Sequence, residues 1–296
     1  MYFNKNTVVF HNGQFIKASE AKGDLYSQTV HYGIGVFDGI RAYKTDAGTQ
    51  AFKAREHYDR FLKAAGRIHL DVKYTSEELV SISYQLLEEN NLTNAYIRPL
   101  ITVGQNMRLT KVKEMNVFIS AWKWGRYQTS DQLDVMISSF QRPNPKASYV
   151  DAKITGHYVN SMLATNEAKD KGFDEALLRD SGGFIAQGPG DNFFFEKDGV
   201  LHTPPLGHIY PGITRKTVIE MATEMGIEVV EHLFTEDELL DADGAFFTGT
   251  GTEIAGIKSI NKKEFKKEWE DTLGFQLLTK YRQRVTHDDF ESYSII

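Results

Sequence analysis

A chain of 296 residues, 41% apolar and 25% charged, has the length for two domains of roughly 100–150 residues each and too much apolar content for disorder. Its net charge of -6, from 34 Lys and Arg against 40 Asp and Glu, gives no long-range attraction to a phosphodiester backbone and no basic stripe compensates locally, which excludes nucleic acid as the expected partner. With no cysteine, disulfides, thiolate nucleophiles and thiolate metal sites are excluded together, and with no apolar stretch near the roughly 20 residues of a membrane span and no signal-like start, a cytosolic protein is expected.

In chain order, Val8, Val9 and Phe10 face Phe15 and Ile16 across Asn12-Gly13, a pair that tolerates the positive φ of a hairpin turn. Residues 36–43 and 50–53 read as strands around Asp46-Ala47-Gly48, and residues 55–68 have apolar side chains at helical spacing. A second helix is predicted over 76–89, where Thr75 and Glu78 have the spacing of a capping box. Three β-rich runs follow, at 96–103, 117–122 and 133–140. The last is entered through the polar stretch Gln128-Thr129-Ser130-Asp131, so a small domain is expected over 1–127, a linker over 128–135 and a larger domain over 136–296. The second part continues with a helix over 159–171, strands over 175–179, 193–196 and 199–202, and a helix over 213–225. Strand runs joined by turns outnumber strand-helix-strand units, which predicts an α+β fold with mainly antiparallel or mixed sheets and flanking helices.

Several chemistries are disfavoured by what the motifs lack. Gly33-x-Gly35, Gly188-x-Gly190 and Gly249-x-Gly251 each begin like a dinucleotide fingerprint, but the final glycine is replaced by Asp38, Phe193 and Ile254. The nine histidines have no metal-ligand spacing, so no metal site is expected, and no Gly-x-Ser-x-Gly elbow is present for a serine hydrolase. A phosphate candidate is Tyr210-Pro211-Gly212-Ile213-Thr214-Arg215, where a helix start would present free N–H groups and the Thr214 hydroxyl to an anion. An ordinary capped helix would use the same residues. The turn Thr248-Gly249-Thr250-Gly251-Thr252 can likewise offer several donors to one anion or be only a tight turn. Lys153, ahead of a helix, is either a solvated lysine or, if desolvated in a cleft, a nucleophile for an aldehyde. Arg98, inside the apolar run Ala95 to Leu100, needs an anion, either an internal acid or a substrate carboxylate.

Taken together, the strings His31-Tyr32-Gly33, Val36-Phe37-Asp38-Gly39-Ile40-Arg41, Arg55-Glu56-His57-x-x-Arg60, Tyr96-Ile97-Arg98-Pro99, Ala152-Lys153, Gly188-Pro189-Gly190-Asp191-Asn192, Pro211-Gly212-Ile213-Thr214-Arg215 and Gly249-Thr250 resemble the fold-type IV pyridoxal-phosphate enzymes, most closely the branched-chain aminotransferases. The resemblance runs from about Phe10 to about Ile257. It implies a two-domain architecture with the active site in the cleft between the domains, pyridoxal 5'-phosphate as cofactor, and Lys153 as the Schiff-base lysine and proton shuttle. It implies that Arg60, Ile213, Thr214 and Thr250 hold the phosphate, that Tyr158 bonds the ring hydroxyl, that Gln187 stands beside the ring nitrogen and that Tyr210 packs on the ring. Tyr32, Phe37, Gly39, Trp124, Tyr127 and Tyr158 match positions lining an aliphatic pocket, with Tyr32 reaching across from a partner subunit, so a homodimer is implied. Arg98 with Tyr96 matches the pair that admits the second carboxylate of glutamate, while Thr250 and Gly251 offer donors to the α-carboxylate. The implied reaction moves the amino group of leucine, isoleucine or valine to 2-oxoglutarate and back.

Two positions depart from the family pattern. Gln187 stands where a glutamate is usual, and an amide cannot supply the charge that keeps a ring nitrogen protonated. Met107-Arg108-Leu109 lacks the commoner glycine after the methionine. The alternatives are a lyase of the same fold, resembling aminodeoxychorismate lyase, which has no need of the Arg98 and Tyr96 pair, or a weakly active or non-catalytic relative marked by Gln187.

Overall fold

In the computed structural model, which describes residues 2–124 and 132–286, the chain divides into two units: residues 2–124, 152–157 and 285–286 form the first, residues 132–151 and 158–284 the second.

The first unit is organised by one antiparallel sheet. Its strands are β1 (Val8–His11), β2 (Gln14–Lys17), β3 (Val36–Phe37), β4 (Ile40–Thr45), β5 (Gly48–Ala51), β6 (Ala95–Val103) and β7 (Met115–Lys123), ordered β2-β1-β7-β6-β4-β5 with β3 also pairing with β6. The hairpin turn falls at Asn12 and Gly13, with φ of 49° and 87°, as the Asn-Gly pair predicts. Three helices accompany the sheet: α1 (Gln28–Tyr32), α2 (Ala54–Arg67) and α3 (Ser76–Glu89). The capping box forms, with the Thr75 hydroxyl accepting from the Glu78 N–H and the Glu78 carboxylate accepting from the Thr75 N–H. Tyr58 and Phe61 of α2 and Leu79 and Leu86 of α3 bury their side chains in one core with Ile97, Ile101 and Ile119 of the sheet. Strand alternation then settles where β6 carries its polar residues: with Ile97 and Ile101 in that core, Tyr96 and Arg98 belong to the opposite face.

Two features depart from the sequence reading. The single strand expected over 36–43 is interrupted at Asp38 and Gly39, although the register with β6 runs through, from Val36 opposite Ile101 to Ile40 opposite Ile97: the Asp38 N–H donates to the Pro99 carbonyl at 3.1 Å, and proline has no N–H to return the bond. Residues 152–157, expected in the second part, group with the first unit. Backbone bonding explains the placement: Ile154 bridges Val36, the Phe37 N–H donates to the Lys153 carbonyl at 3.1 Å, and the N–H groups of Thr155 and Gly156 donate to Gly35 and Gly33 at 3.0 and 2.9 Å.

In the second unit the strands are β8 (Gln132–Gln141), β9 (Glu175–Arg179), β10 (Ile185–Gln187), β11 (Asn192–Lys197), β12 (Val200–Thr203), β13 (Val229–Glu231), β14 (Gly244–Gly249), β15 (Glu253–Ile260) and β16 (Lys263–Glu264). They follow the order β10-β9-β8-β15-β14-β11-β12-β13, with β16 on β15. The sheet is mixed, β8 running parallel to both β9 and β15. One further antiparallel pair, Gln187 with Asn192, joins β10 to β11 and closes six of the strands into a ring. Helices α4 (Tyr158–Asp170), α5 (Ile213–Glu224), α6 (Glu236–Leu239) and α7 (Leu273–Thr286) complete the described chain. The apolar run of β11 is buried on both faces: Phe193 and Phe195 join Phe234 and Phe247 in a core, while Phe194 stacks on Phe246 with centroids 5.1 Å apart. Among the described residues, no helix is long and apolar enough to cross a membrane.

Candidate functional site

In the first unit the candidate residues gather around Phe37, at the end of β3, and the Asp38-Gly39 pair that follows it. Phe37 holds the Lys153 backbone through its N–H, and its ring centroid lies 5.6 Å from Lys153 Nζ and 4.8 Å from the Arg98 guanidinium carbon. Asp38 is buried, and its carboxylate accepts from the Gly39 N–H at 2.6 Å, from Arg60 Nε at 2.6 Å and from Arg60 Nη2 at 2.7 Å. Burial alone would raise its pKa, but the Arg60 guanidinium and His57 outweigh burial and hold the carboxyl well below the usual carboxylate range. His57 lies one turn before Arg60 on α2, with Nδ1 3.2 Å from Asp38 Oδ1 and 3.1 Å from Arg60 Nη2. Burial, then the charges of Arg60 and Lys153, push the imidazole down from its ordinary value against the pull of Asp38. Gly39 has no side chain for a steric reason: a Cβ there would lie 1.8 Å from the Tyr96 hydroxyl.

Tyr96 and Arg98 lie side by side on β6, and Arg98 Nη2 donates to the Tyr96 hydroxyl at 3.2 Å. The guanidinium is framed by Phe37, Tyr96 and Trp122, with ring centroids 4.8, 5.2 and 6.0 Å from its central carbon. Trp124 extends this frame, its ring 5.0 Å from that of Tyr96. Of the two partners the sequence allows Arg98, the internal acid is missing among the described residues, and its buried Nε has no hydrogen-bond partner there. Tyr32, at the end of α1, is exposed and donates to the Met107 carbonyl at 3.3 Å. Tyr127 lies outside the described residues.

The second unit builds its part of the chemistry largely from backbone. α5 starts at Ile213 behind Gly212, with no side-chain cap bond and no acidic residue in its first turn, so the partial positive charge of the helix end is uncompensated by side chains. Ile213 and Thr214 are buried there. The strap leading into this helix is gripped by two amides. The Tyr210 N–H donates to Gln187 Oε1 at 2.7 Å, and the Tyr210 carbonyl accepts from Asn192 Nδ2 at 2.8 Å. These are the two residues that close the strand ring. Gly212 completes the fit, since a Cβ would fall 2.1 Å from Asn192 Oδ1. With Oε1 occupied by a backbone donor, the Gln187 amide orientation is fixed, and Nε2 donates to the Gly188 carbonyl at 3.1 Å. Thr250 and Gly251 occupy the turn between β14 and β15, next to Thr248, whose buried hydroxyl has no partner among the described residues. Tyr158 opens α4, and its phenol opposes the burial that brings the Arg142 guanidinium down to about 10.

Thus Lys153, Arg60, Phe37, Gly39, Tyr96, Arg98 and Trp124 belong to the first unit, and Tyr158, Gln187, Tyr210, Ile213, Thr214, Thr250 and Gly251 to the second. Sequence reasoning gave no individual role to Asp38, His57, Trp122, Asn192 and Thr248. A signal for Asp38 was present: an acid within the apolar run Val36 to Ile40 has the same need of a partner as Arg98 in its own run.

Taken unit by unit, the donors suit a phosphorylated aldehyde: in the second, an uncapped helix start with buried hydroxyls suits a dianion, and in the first, an arginine suits an anion and a half-buried lysine a carbonyl carbon. The model of the amino-transferase class IV family matches residues 35–260. The branched-chain-amino-acid aminotransferase of Pseudomonas aeruginosa is 38% identical over 268 residues, covering 88% of this chain and 87% of the relative. Among solved structures, the branched-chain aminotransferase of Thermoproteus uzoniensis with norvaline matches with a TM-score of 0.91 at 35% identity, covering 94% of each chain. The branched-chain amino acid aminotransferase of Thermobaculum terrenum, in its PLP-bound holo form, matches with a TM-score of 0.88 at 30% identity, covering 95% of each chain.

Proposed function

The chain belongs to the class IV amino-transferase family, and from that premise we propose that it transfers the amino group of L-leucine, L-isoleucine or L-valine to 2-oxoglutarate, reversibly, with pyridoxal 5'-phosphate as cofactor. The observation that carries this reading is the Arg98 guanidinium, set among aromatic rings and without an acidic partner among the described residues. A rigid fork of donors suits the side-chain carboxylate of glutamate, and the surrounding rings suit a branched hydrocarbon. One pocket of that composition serves both substrates in turn.

When bound, the cofactor supplies an aldehyde to receive the amino group and a conjugated ring to take up the electron pair left when the α C–H bond breaks. Lys153 would hold the cofactor through its aldehyde carbon and, once the substrate amine has displaced it, its free amine would carry the proton away from the substrate α-carbon, general acid-base work commonly worth about 10² to 10⁴ in rate. Arg60, the Ile213 N–H, Thr214 and Thr250 hold the phosphate, so the ring is positioned before substrate arrives. Tyr158 would hold the ring hydroxyl and Tyr210 would cover the ring. Gln187, assigned to the ring nitrogen, would supply no negative charge there, so the ring would be a weaker electron sink than a carboxylate would make it. Thr250 and Gly251 bind the α-carboxylate. We take the protein as a cytosolic homodimer, since Tyr32 lies within an exposed apolar group with Leu25, Tyr26, Val30 and Leu109 that a second copy would cover.

Product analysis tests this. The cofactor-loaded protein, given leucine and 2-oxoglutarate, is expected to form 4-methyl-2-oxopentanoate and glutamate in equal amounts by mass spectrometry. Consumption of an amino substrate without glutamate formation contradicts the reading and favours the lyase, whose chemistry has no use for Arg98.

A further inference from the structure

Asp38 is an unusual residue to bury. An ion pair removed from water generally stabilises a fold no better than apolar packing of the same size. Yet Asp38 is 1% exposed, and it shares its face with Val36 and Ile40, which lie in the apolar core. What the carboxylate does there is geometric. It engages Arg60 through two different nitrogens, Nε to Oδ2 at 2.6 Å and Nη2 to Oδ1 at 2.7 Å. Two parallel bonds of this kind fix the plane of the guanidinium, and the plane fixes where Nη1 points. The carboxylate is fixed in turn by the Gly39 N–H at 2.6 Å, and His57 backs the pair from the same helix face as Arg60, its Nδ1 within 3.2 Å of Oδ1 and 3.1 Å of Nη2.

We infer that Asp38, backed by His57, is a positioning residue that sets the Arg60 guanidinium in the orientation in which it grips the cofactor phosphate. The inference rests on the assignment of Arg60 to the phosphate. Asp38 also links that grip to the rest of the first unit, because, of its two neighbours, Phe37 holds the Lys153 backbone and Gly39 leaves the room that the Tyr96 hydroxyl fills.

Removing the charge would change both the orientation of Arg60 and the field at a dianion, so the informative variant keeps the charge and moves it. Asp38→Glu does this by one methylene. The readout is the ratio of affinities for pyridoxal 5'-phosphate and for pyridoxal, measured on the full-length protein by titrating each cofactor back after removal, in the natural and the Arg60→Met backgrounds. Asp38→Glu is expected to lower the ratio about tenfold, the scale of one misaligned charge-assisted contact, and to leave it unchanged once Arg60 is methionine. A merely structural role would weaken both cofactors alike, or lower the ratio equally in both backgrounds, and either result overturns the inference. If Arg60→Met alone leaves the ratio unchanged, the phosphate assignment of Arg60 itself fails, which is a separate outcome. His57→Gln gives a second route should the longer acid not fold: it is expected to lower the ratio by less, again only where Arg60 is present, and an unchanged ratio there counts against the inference.

Discussion

The two units present their candidate functional groups by different physical means. In the first, the groups are charged side chains set into apolar surroundings: Asp38 in the break between β3 and β4, Arg98 on β6 among aromatic rings, and Lys153 clipped to Phe37. In the second, they are mainly backbone donors at the start of α5 and in the turn after β14, oriented by the Gln187 and Asn192 amides that hold Tyr210 on both sides. The contrast teaches where each unit is vulnerable. Side-chain chemistry fails when the bearing residue is replaced, whereas a backbone site fails when the residues that shape the backbone are replaced, even though those residues need never touch the ligand.

That contrast can be broken or sharpened by substitution. The largest effect is expected for Lys153→Ala, which removes the proton carrier and should slow amino transfer from leucine by at least about 10² to 10⁴ in single-turnover absorbance measurements; a loss of less than tenfold would place the proton transfer elsewhere. Next is Asn192→Ala, which frees the Tyr210 carbonyl and opens space against Gly212. Loss of one buried hydrogen bond costs about 1–3 kcal/mol, or about 5-fold to 150-fold, and the account expects the loss in cofactor affinity rather than in the turnover of the saturated enzyme. A turnover defect with affinity intact would mean that the strap does not serve the phosphate.

The smallest effect concerns pH. The His57 imidazole is pushed below its ordinary value of 6.5, so the unfolded chain binds its proton first as pH falls. Stability from the buried neutral ring is therefore complete above about 6.5 and is lost as pH drops toward the folded pKa. Urea titrations at pH 7 and pH 5 should show a smaller loss of stability in His57→Gln than in the natural protein. An equal loss would show that His57 is not buried neutral.

The same contrast explains what was legible in the sequence. Apolar periodicity, the Asn12-Gly13 turn and the Thr75 and Glu78 cap mark their elements correctly because each is a local signal. Arg98 is conspicuous because it interrupts an apolar run, and the turn at Pro211-Gly212 is visible as a helix start, while its use for an anion is not, because an ordinary capped helix has the same residues. The interruption at Asp38 was not visible, since a strand pattern continues on both sides and the cause is the pairing of Asp38 with Pro99, about 60 residues later, which has no N–H to give. The membership of residues 152–157 in the first unit was hidden for a similar reason: it depends on backbone bonds to Gly33, Gly35 and Phe37, over 100 residues away, which leave no local composition. Gln187 is legible as a departure from the family pattern, but its hold on the Tyr210 N–H is a tertiary fact.

The central claim is that Arg98 allows one pocket to take a branched hydrocarbon and a carboxylate in turn, and the direct test is to measure the two half-reactions of Arg98→Met separately. The account predicts that the KM for 2-oxoglutarate rises about 10-fold to 150-fold, the worth of a charge-assisted bond of about 1.5–3 kcal/mol, while the half-reaction with leucine changes by less than a few-fold. Equal losses with both substrates would contradict it, leaving Arg98 a structural cation and the recognition of glutamate to other residues.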